Sequence, residues 1–185
     1  MPKNKSLQIY FFFLIFMVSA CGDKTTRPDV SKVKVDVKIE RFDKEIGLLH
    51  VNDIAKKNAL WQQKYGSFYR DYMLYMLSAG DPQDTIGVKN VLPKILEQKD
   101  FLALNQAVAK KFPNLKLQEE GLTTSFKYLK YYFPEIKVPR FISFFSGFAV
   151  QTPIGDDYMG IGLDMFLGSN SEFYPALVKS IPMYM

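Results

Sequence analysis

The 185 residues are 48% hydrophobic and 15% aromatic, a composition that excludes a disordered or low-complexity chain. Lys and Arg number 24 against 19 Asp and Glu, a formal charge of +5, but they are spread along the chain, which speaks for a solvated face and against a nucleic-acid surface. One cysteine and one histidine leave no disulfide framework, no HExxH motif and no Cys/His metal cluster.

The chain opens on a leader. Lys3 and Lys5 precede ten unbroken apolar residues, 9–18, and Ser19-Ala20 are small residues ahead of Cys21, the layout of a secretory signal. Ten is half of the ~20 apolar residues that a membrane span needs, so residues 1–20 read as a signal peptide. Val18-Ser19-Ala20-Cys21 resembles the lipobox of bacterial lipoproteins, in which the cysteine takes diacylglycerol, the leader is cut off before it and the new amino group is acylated. Three acyl chains exceed the two signals that stable membrane attachment takes, so Cys21 is the predicted lipid-attachment residue and a membrane the predicted partner. Cleavage removes Lys3 and Lys5 and leaves 22 basic against 19 acidic residues, a balance of +3.

Residues 21–31, with Asp23, Lys24, Thr25, Thr26, Arg27, Pro28 and Asp29, are polar without a period and read as a tether. Residues 32–185 read as a single α+β domain, incomplete at its C-terminus because the chain stops on the apolar Pro182-Met183-Tyr184-Met185. Val33, Val35, Val37 and Ile39 alternate with Lys34, Asp36, Lys38 and Glu40, the period of a half-buried strand. Asn52 or Asp53 can cap a helix through Ile54, Leu60 and Trp61. The pattern continues past Gly66 with Tyr65, Phe68, Tyr69, Tyr72 and Met76 on one face, a stripe that reads as core. Ser78-Ala79-Gly80-Asp81-Pro82 stops it. Further helices are predicted over 88–97, with Pro93 bending it or opening a new start, over 101–112, and over 118–133 with Leu122, Phe126, Leu129, Tyr132 and Phe133 inward and Lys127 and Lys130 outward.

From Arg140 the texture changes. Phe141, Ile142, Phe144, Phe145, Phe148, Ala149 and Val150 predict a strand over 141–150, Thr152-Pro153-Ile154-Gly155-Asp156-Asp157 a turn, and 158–166 a second strand. The fold class is therefore α+β, mostly helical with an antiparallel β-hairpin near the C-terminal end. Ser169-Asn170-Ser171-Glu172 fits a capping box and predicts a last helix over 173–179.

Residues 155–164 hold the densest group of glycines and carboxylates. A dinucleotide fingerprint needs a third glycine where Met165 stands, and EF-hand spacing is missing. Asp156, Asp157 and Asp164 remain as candidate metal ligands, with Asp156 and Asp164 able to approach across the hairpin as an acid–base pair. The competing reading is turn chemistry plus glycines where backbones approach closely. His50, after Leu48-Leu49, reads as structural. No catalytic set, no cofactor site and no small-molecule substrate is predicted.

Several stretches together resemble the gliding-motility lipoprotein GldB family of Bacteroidetes: Arg41-Phe42-Asp43-Lys44-Glu45, Tyr65-Gly66-Ser67-Phe68-Tyr69, Tyr128-Leu129-Lys130-Tyr131-Tyr132-Phe133-Pro134, Ser146-Gly147-Phe148, and the glycine-rich run 155–168 followed by Phe173-Tyr174-Pro175. The resemblance implies an exported lipoprotein needed for gliding, a structural or assembly component of the envelope machinery that also serves type IX secretion, held at the outer membrane facing the periplasm. Its partners would be other gliding or secretion proteins, and only Cys21 carries over as a functional residue. Family members extend past the point matching Met185, so the resemblance implies an amino-terminal portion. The family is also distantly similar to predicted zinc-dependent proteases. That alternative, a degenerate or active hydrolase domain, needs a His-Glu pair beyond Gly168, where residues 169–185 supply Glu172 and no His.

Overall fold

The computed structural model describes residues 27–175. The chain divides into two units, Met1–Lys32 and Val33–Met185. The leader, Cys21 and most of the last predicted helix lie outside the described residues. In the first unit, Ser31 donates its backbone N–H to Asp29 Oδ1 at 2.8 Å.

The second unit runs β1 (Ile39–Arg41), α1 (Phe42–Gly47), α2 (Ile54–Tyr65), α3 (Ser67–Asp71), α4 (Thr85–Leu96), α5 (Lys99–Lys111), α6 (Lys116–Tyr132), β2 (Arg140–Phe144) and β3 (Tyr158–Gly162). A π-helical turn, Tyr72–Met76, continues α3, and 3-10 turns lie at Val51–Asp53 and Leu163–Phe166. The architecture is α+β and mostly helical.

The sheet corrects the predicted hairpin. Its order is β1-β2-β3 and both pairings are parallel, with Ile39 opposite Phe141, Arg140 opposite Tyr158 and Phe144 opposite Gly162. The physical reason is visible in β2, where Phe141, Ile142, Ser143 and Phe144 are all buried. A strand covered on both faces carries an unbroken apolar run, which is the habit of parallel sheets, whereas a half-solvated antiparallel hairpin would alternate. The first strand ends at Phe144, six residues short of the prediction, and residues 145–157 return the chain to the other end of the sheet. Their thirteen residues meet the dozen or more that a parallel connection requires. The antiparallel pairing that does occur is local. Gly160 donates to the Pro153 carbonyl and Gly162 to that of Gln151, both at 2.8 Å, while Gly155 donates to Tyr158 at 3.0 Å, so the returning segment covers the outer edge of β3.

The other edge is covered by a helix. The alternation expected over 33–39 is present, with Val37 and Ile39 buried and Lys34, Asp36 and Lys38 exposed, yet only Ile39 belongs to a strand. Instead Val37 N–H donates to Thr123 Oγ1 and Ile39 N–H to Glu119 Oε1 of α6, each at 2.9 Å. Two side chains thus satisfy amides that a fourth strand would have taken.

The aromatic stripe is core, as its spacing predicts: Trp61, Tyr65, Phe68, Tyr69 and Tyr72 are fully buried. Gly66, at φ +53°, splits the predicted continuous helix into α2 and α3. Neither Asn52 nor Asp53 makes a capping bond at α2, whereas Asp84 Oδ1 caps α4 by accepting from Gly87 N–H at 2.9 Å. Pro93 is accommodated within α4. On α6 only Phe126 is buried, and Leu129, Tyr132 and Phe133, expected inside, face solvent.

Candidate functional site

In open parallel sheets, functional groups collect beyond the carboxyl ends of the strands. Here that end holds Asp164, in the 3-10 turn that follows β3, and the turn Ser146-Gly147-Phe148 that leaves β2. Asp164 is fully buried. Its Oδ2 accepts from the Ser146 amide at 3.0 Å and the Phe148 amide at 2.7 Å. Both donors converge because Gly147 and Phe148 take positive φ, +71° and +67°, which turns successive N–H groups inward. Ser146 Oγ accepts from the Ala149 amide at 3.2 Å, and Tyr174 Oη bridges Asp164 O and Leu167 N. Tyr72 closes the floor, donating to the Phe145 carbonyl at 2.9 Å.

Asp164 Oδ1 is buried with no hydrogen-bond partner among the described residues. Burial pushes the carboxyl above its ordinary value, and the backbone amides of Phe148, Ser146, Asp164 and Met165 pull it back only in part, the last two too far off or misaligned to count as hydrogen bonds. Burial also raises the Tyr72 phenol, with the nearby Asp164 charge adding to it. Gly162 is required beside this turn, since a Cβ there would run into the Val150 carbonyl oxygen. Gly160 is hemmed in likewise by Pro153 and Phe144. Gly162 thus sits where backbones approach closely, and Gly160 where side chains leave no room.

The other two candidate carboxylates lie at the opposite end of β3, which at ~3.3 Å per residue is roughly 16 Å away. Asp156 is exposed. Asp157 accepts from Ser67 Oγ at 2.6 Å and pairs with Arg140 Nη1 at 3.7 Å, and Arg140 in turn grips Glu40 with two bonds of 2.9 and 3.0 Å. The candidates stay apart because they flank opposite ends of one strand, β3, and no group of three or more His, Cys, Asp or Glu residues among the described ones could hold a metal ion. His50 is exposed.

Two polar clusters escaped sequence reasoning. Asp43, buried beneath the sheet, takes a two-pronged bond from Arg41 at 2.8 and 2.7 Å and a third from Ser143 Oγ. Glu45 accepts from Trp61 Nε1, Tyr65 Oη and Lys64 Nζ. Burial pushes Glu45 up, but the three donors outweigh it and hold its carboxyl below the ordinary value. Both anchor α1. The signal in the sequence is the charged Arg-x-Asp-x-Glu spacing around Phe42, whose ring meets Trp61, Tyr65, Phe68, Tyr69 and Tyr72 edge-on at 4.9–6.0 Å.

A family model described as gliding motility protein GldB matches residues 23–185. The chain belongs to the GldB family. No curated protein and no solved structure matches it. In this GldB-family chain the run Arg41-Phe42-Asp43-Lys44-Glu45 is a structural keystone, each residue tied to another element; Lys44 Nζ reaches the Pro113 carbonyl at 2.8 Å. The Ser146-Gly147-Phe148 and 155–168 stretches meet at Asp164, so two separated motifs form one buried cradle. No described helix is long and apolar enough to cross a membrane.

Proposed function

We propose that this gliding motility lipoprotein is held in the cell envelope through lipid on Cys21 and acts there as a structural or assembly component, without catalysis. The observation that carries the reading is the family match over residues 23–185, which begins two residues after the cysteine of a lipobox-like run. Three acyl chains at ~0.8 kcal/mol per buried CH₂ make attachment effectively permanent. The non-catalytic part is supported by Asp43, Glu45 and Asp157, whose recorded bonds all run to neighbouring elements of the body. The proposed location is the outer membrane facing the periplasm, with other gliding or secretion proteins as partners.

The test is complementation of a deletion strain. Cys21→Ser should leave an unacylated, uncleaved or soluble product and abolish surface spreading, while the wild-type chain restores it. Normal spreading by the unacylated chain overturns the anchored reading. Stoichiometric zinc in the purified full-length protein overturns the non-catalytic one.

A further inference from the structure

The end of α6 breaks the pattern of the rest of the molecule. Leu129, Tyr131, Tyr132 and Phe133 are 37%, 49%, 60% and 61% exposed, four large apolar residues within five positions, whereas exposed ones elsewhere, such as Tyr75 and Ile154, stand apart from one another in the sequence. Phe133, just past the last helical residue Tyr132, closes the helix by donating to the Leu129 carbonyl at 2.7 Å. Ile136 N–H donates to Phe133 O at 3.0 Å, so the chain turns back immediately and leaves the aromatics at a tip. The Tyr131 and Tyr132 rings meet edge to face at 5.1 Å, one supporting the other.

The charges around this tip have one prevailing sign. Along residues 127–137 the charged side chains are Lys127, Lys130 and Lys137 against Glu135, with Lys137 exposed and Lys127 and Lys130 half-buried. Exposed tyrosines and a phenylalanine in a segment rich in lysine match the headgroup layer of a bilayer. Tyr and Trp concentrate at that depth, long lysine stems reach past apolar surface to the phosphates, and anionic lipid contributes about 1 kcal/mol per lysine at the surface. We propose that the tip formed by Leu129, Tyr131, Tyr132 and Phe133 with Lys127, Lys130 and Lys137 is a second membrane contact, which seats the folded body on an anionic leaflet. The inference rests on the anchored reading for proximity. The eleven residues 22–32 between Cys21 and the body can span up to about 36 Å when extended, enough to let a face of the body reach the leaflet.

The experiment uses the acylated full chain in vesicles of phosphatidylethanolamine with phosphatidylglycerol, or with phosphatidylcholine in its place, each carrying a photoactivatable lipid. Labelled peptides are mapped by mass spectrometry. In phosphatidylglycerol vesicles the 127–137 peptide should be labelled. Labelling should fall about fivefold for each of Lys127→Gln, Lys130→Gln and Lys137→Gln, and to background in the triple variant Tyr131→Ser, Tyr132→Ser, Phe133→Ser. Salt near 1 M, where the screening length is about 3 Å, should weaken labelling of the wild-type tip without any substitution. Through all of this the protein should stay with the vesicles. Labelling confined to residues 21–32, labelling of the tip that neither salt nor the variants change, or a tip shielded by a second copy of the chain overturns the inference and leaves the anchor standing. A wild-type chain that washes off the vesicles overturns the anchored reading itself.

Discussion

A buried carboxylate settles near its ordinary pKa only when donors replace the water it has lost, and among the described residues Asp164 has hydrogen bonds on Oδ2 and none on Oδ1. Its pKa is therefore higher in the folded chain than in the unfolded one. A raised folded value means that the native state holds the proton more tightly. The stabilisation is full below about pH 3.8 and is lost as pH rises through the folded value, at about 1.4 kcal/mol for each unit between the two. Asp164→Asn keeps an acceptor for both amides and cannot ionise. In urea titrations from pH 4 to 8, the variant should gain on the wild type as pH rises, and a constant difference would refute the assignment. Asp164→Ala should cost about 1–3 kcal/mol at pH 4 by leaving the Ser146 and Phe148 amides without an acceptor, and the cost should shrink as pH rises because the variant does not titrate there. The sequence singled out Asp164 by the crowd of glycines and carboxylates around it. It could not show the partners, because they are backbone N–H groups sixteen and eighteen residues away, and every residue but proline carries one.

At the scale of elements, legibility followed periodicity. The stripe from Tyr65 to Met76 is long, regular and amphipathic, and it is buried as its spacing says. The strands are short, and a run such as Phe141-Ile142-Ser143-Phe144 records double-sided burial without recording the direction of its neighbours. The alternation over 33–39 misled in a subtler way: the side chains obey it, but the backbone partner is a helix. That arrangement is testable. Thr123→Val with Glu119→Met removes both acceptors while keeping approximate shape, and should cost about 1–3 kcal/mol per stranded amide. Hydrogen exchange at Val37 and Ile39 should accelerate in the variant, while the amides of β3 paired to Gln151 and Pro153 remain protected. Thr123→Ser, which retains the hydroxyl, should behave like the wild type. Equal acceleration across the whole sheet would mean that α6 guards the edge only by bulk.

At the scale of the molecule, two phenylalanines make opposite predictions from the same letter. Phe42 follows β1 directly and its ring touches five others from α2, α3 and the π-helical turn, so it joins the sheet to the helical layer. Phe42→Ala should cost about 3–5 kcal/mol, against a total of roughly 5–15 for a domain, and should lower the midpoint of thermal unfolding in one cooperative step seen alike by far-UV dichroism and Trp61 fluorescence. Phe133 sits at the end of a helix whose pattern also predicts burial, and is exposed. Phe133→Ala should shift stability by no more than about 0.5 kcal/mol. If both hold, the apolar pattern of α6 continues past the point where the core needs it, and the surplus must be accounted for by something the folded body meets from outside. A large loss of stability from Phe133→Ala would instead place the residue in the packing of this chain and remove the reason to seek a membrane beneath it.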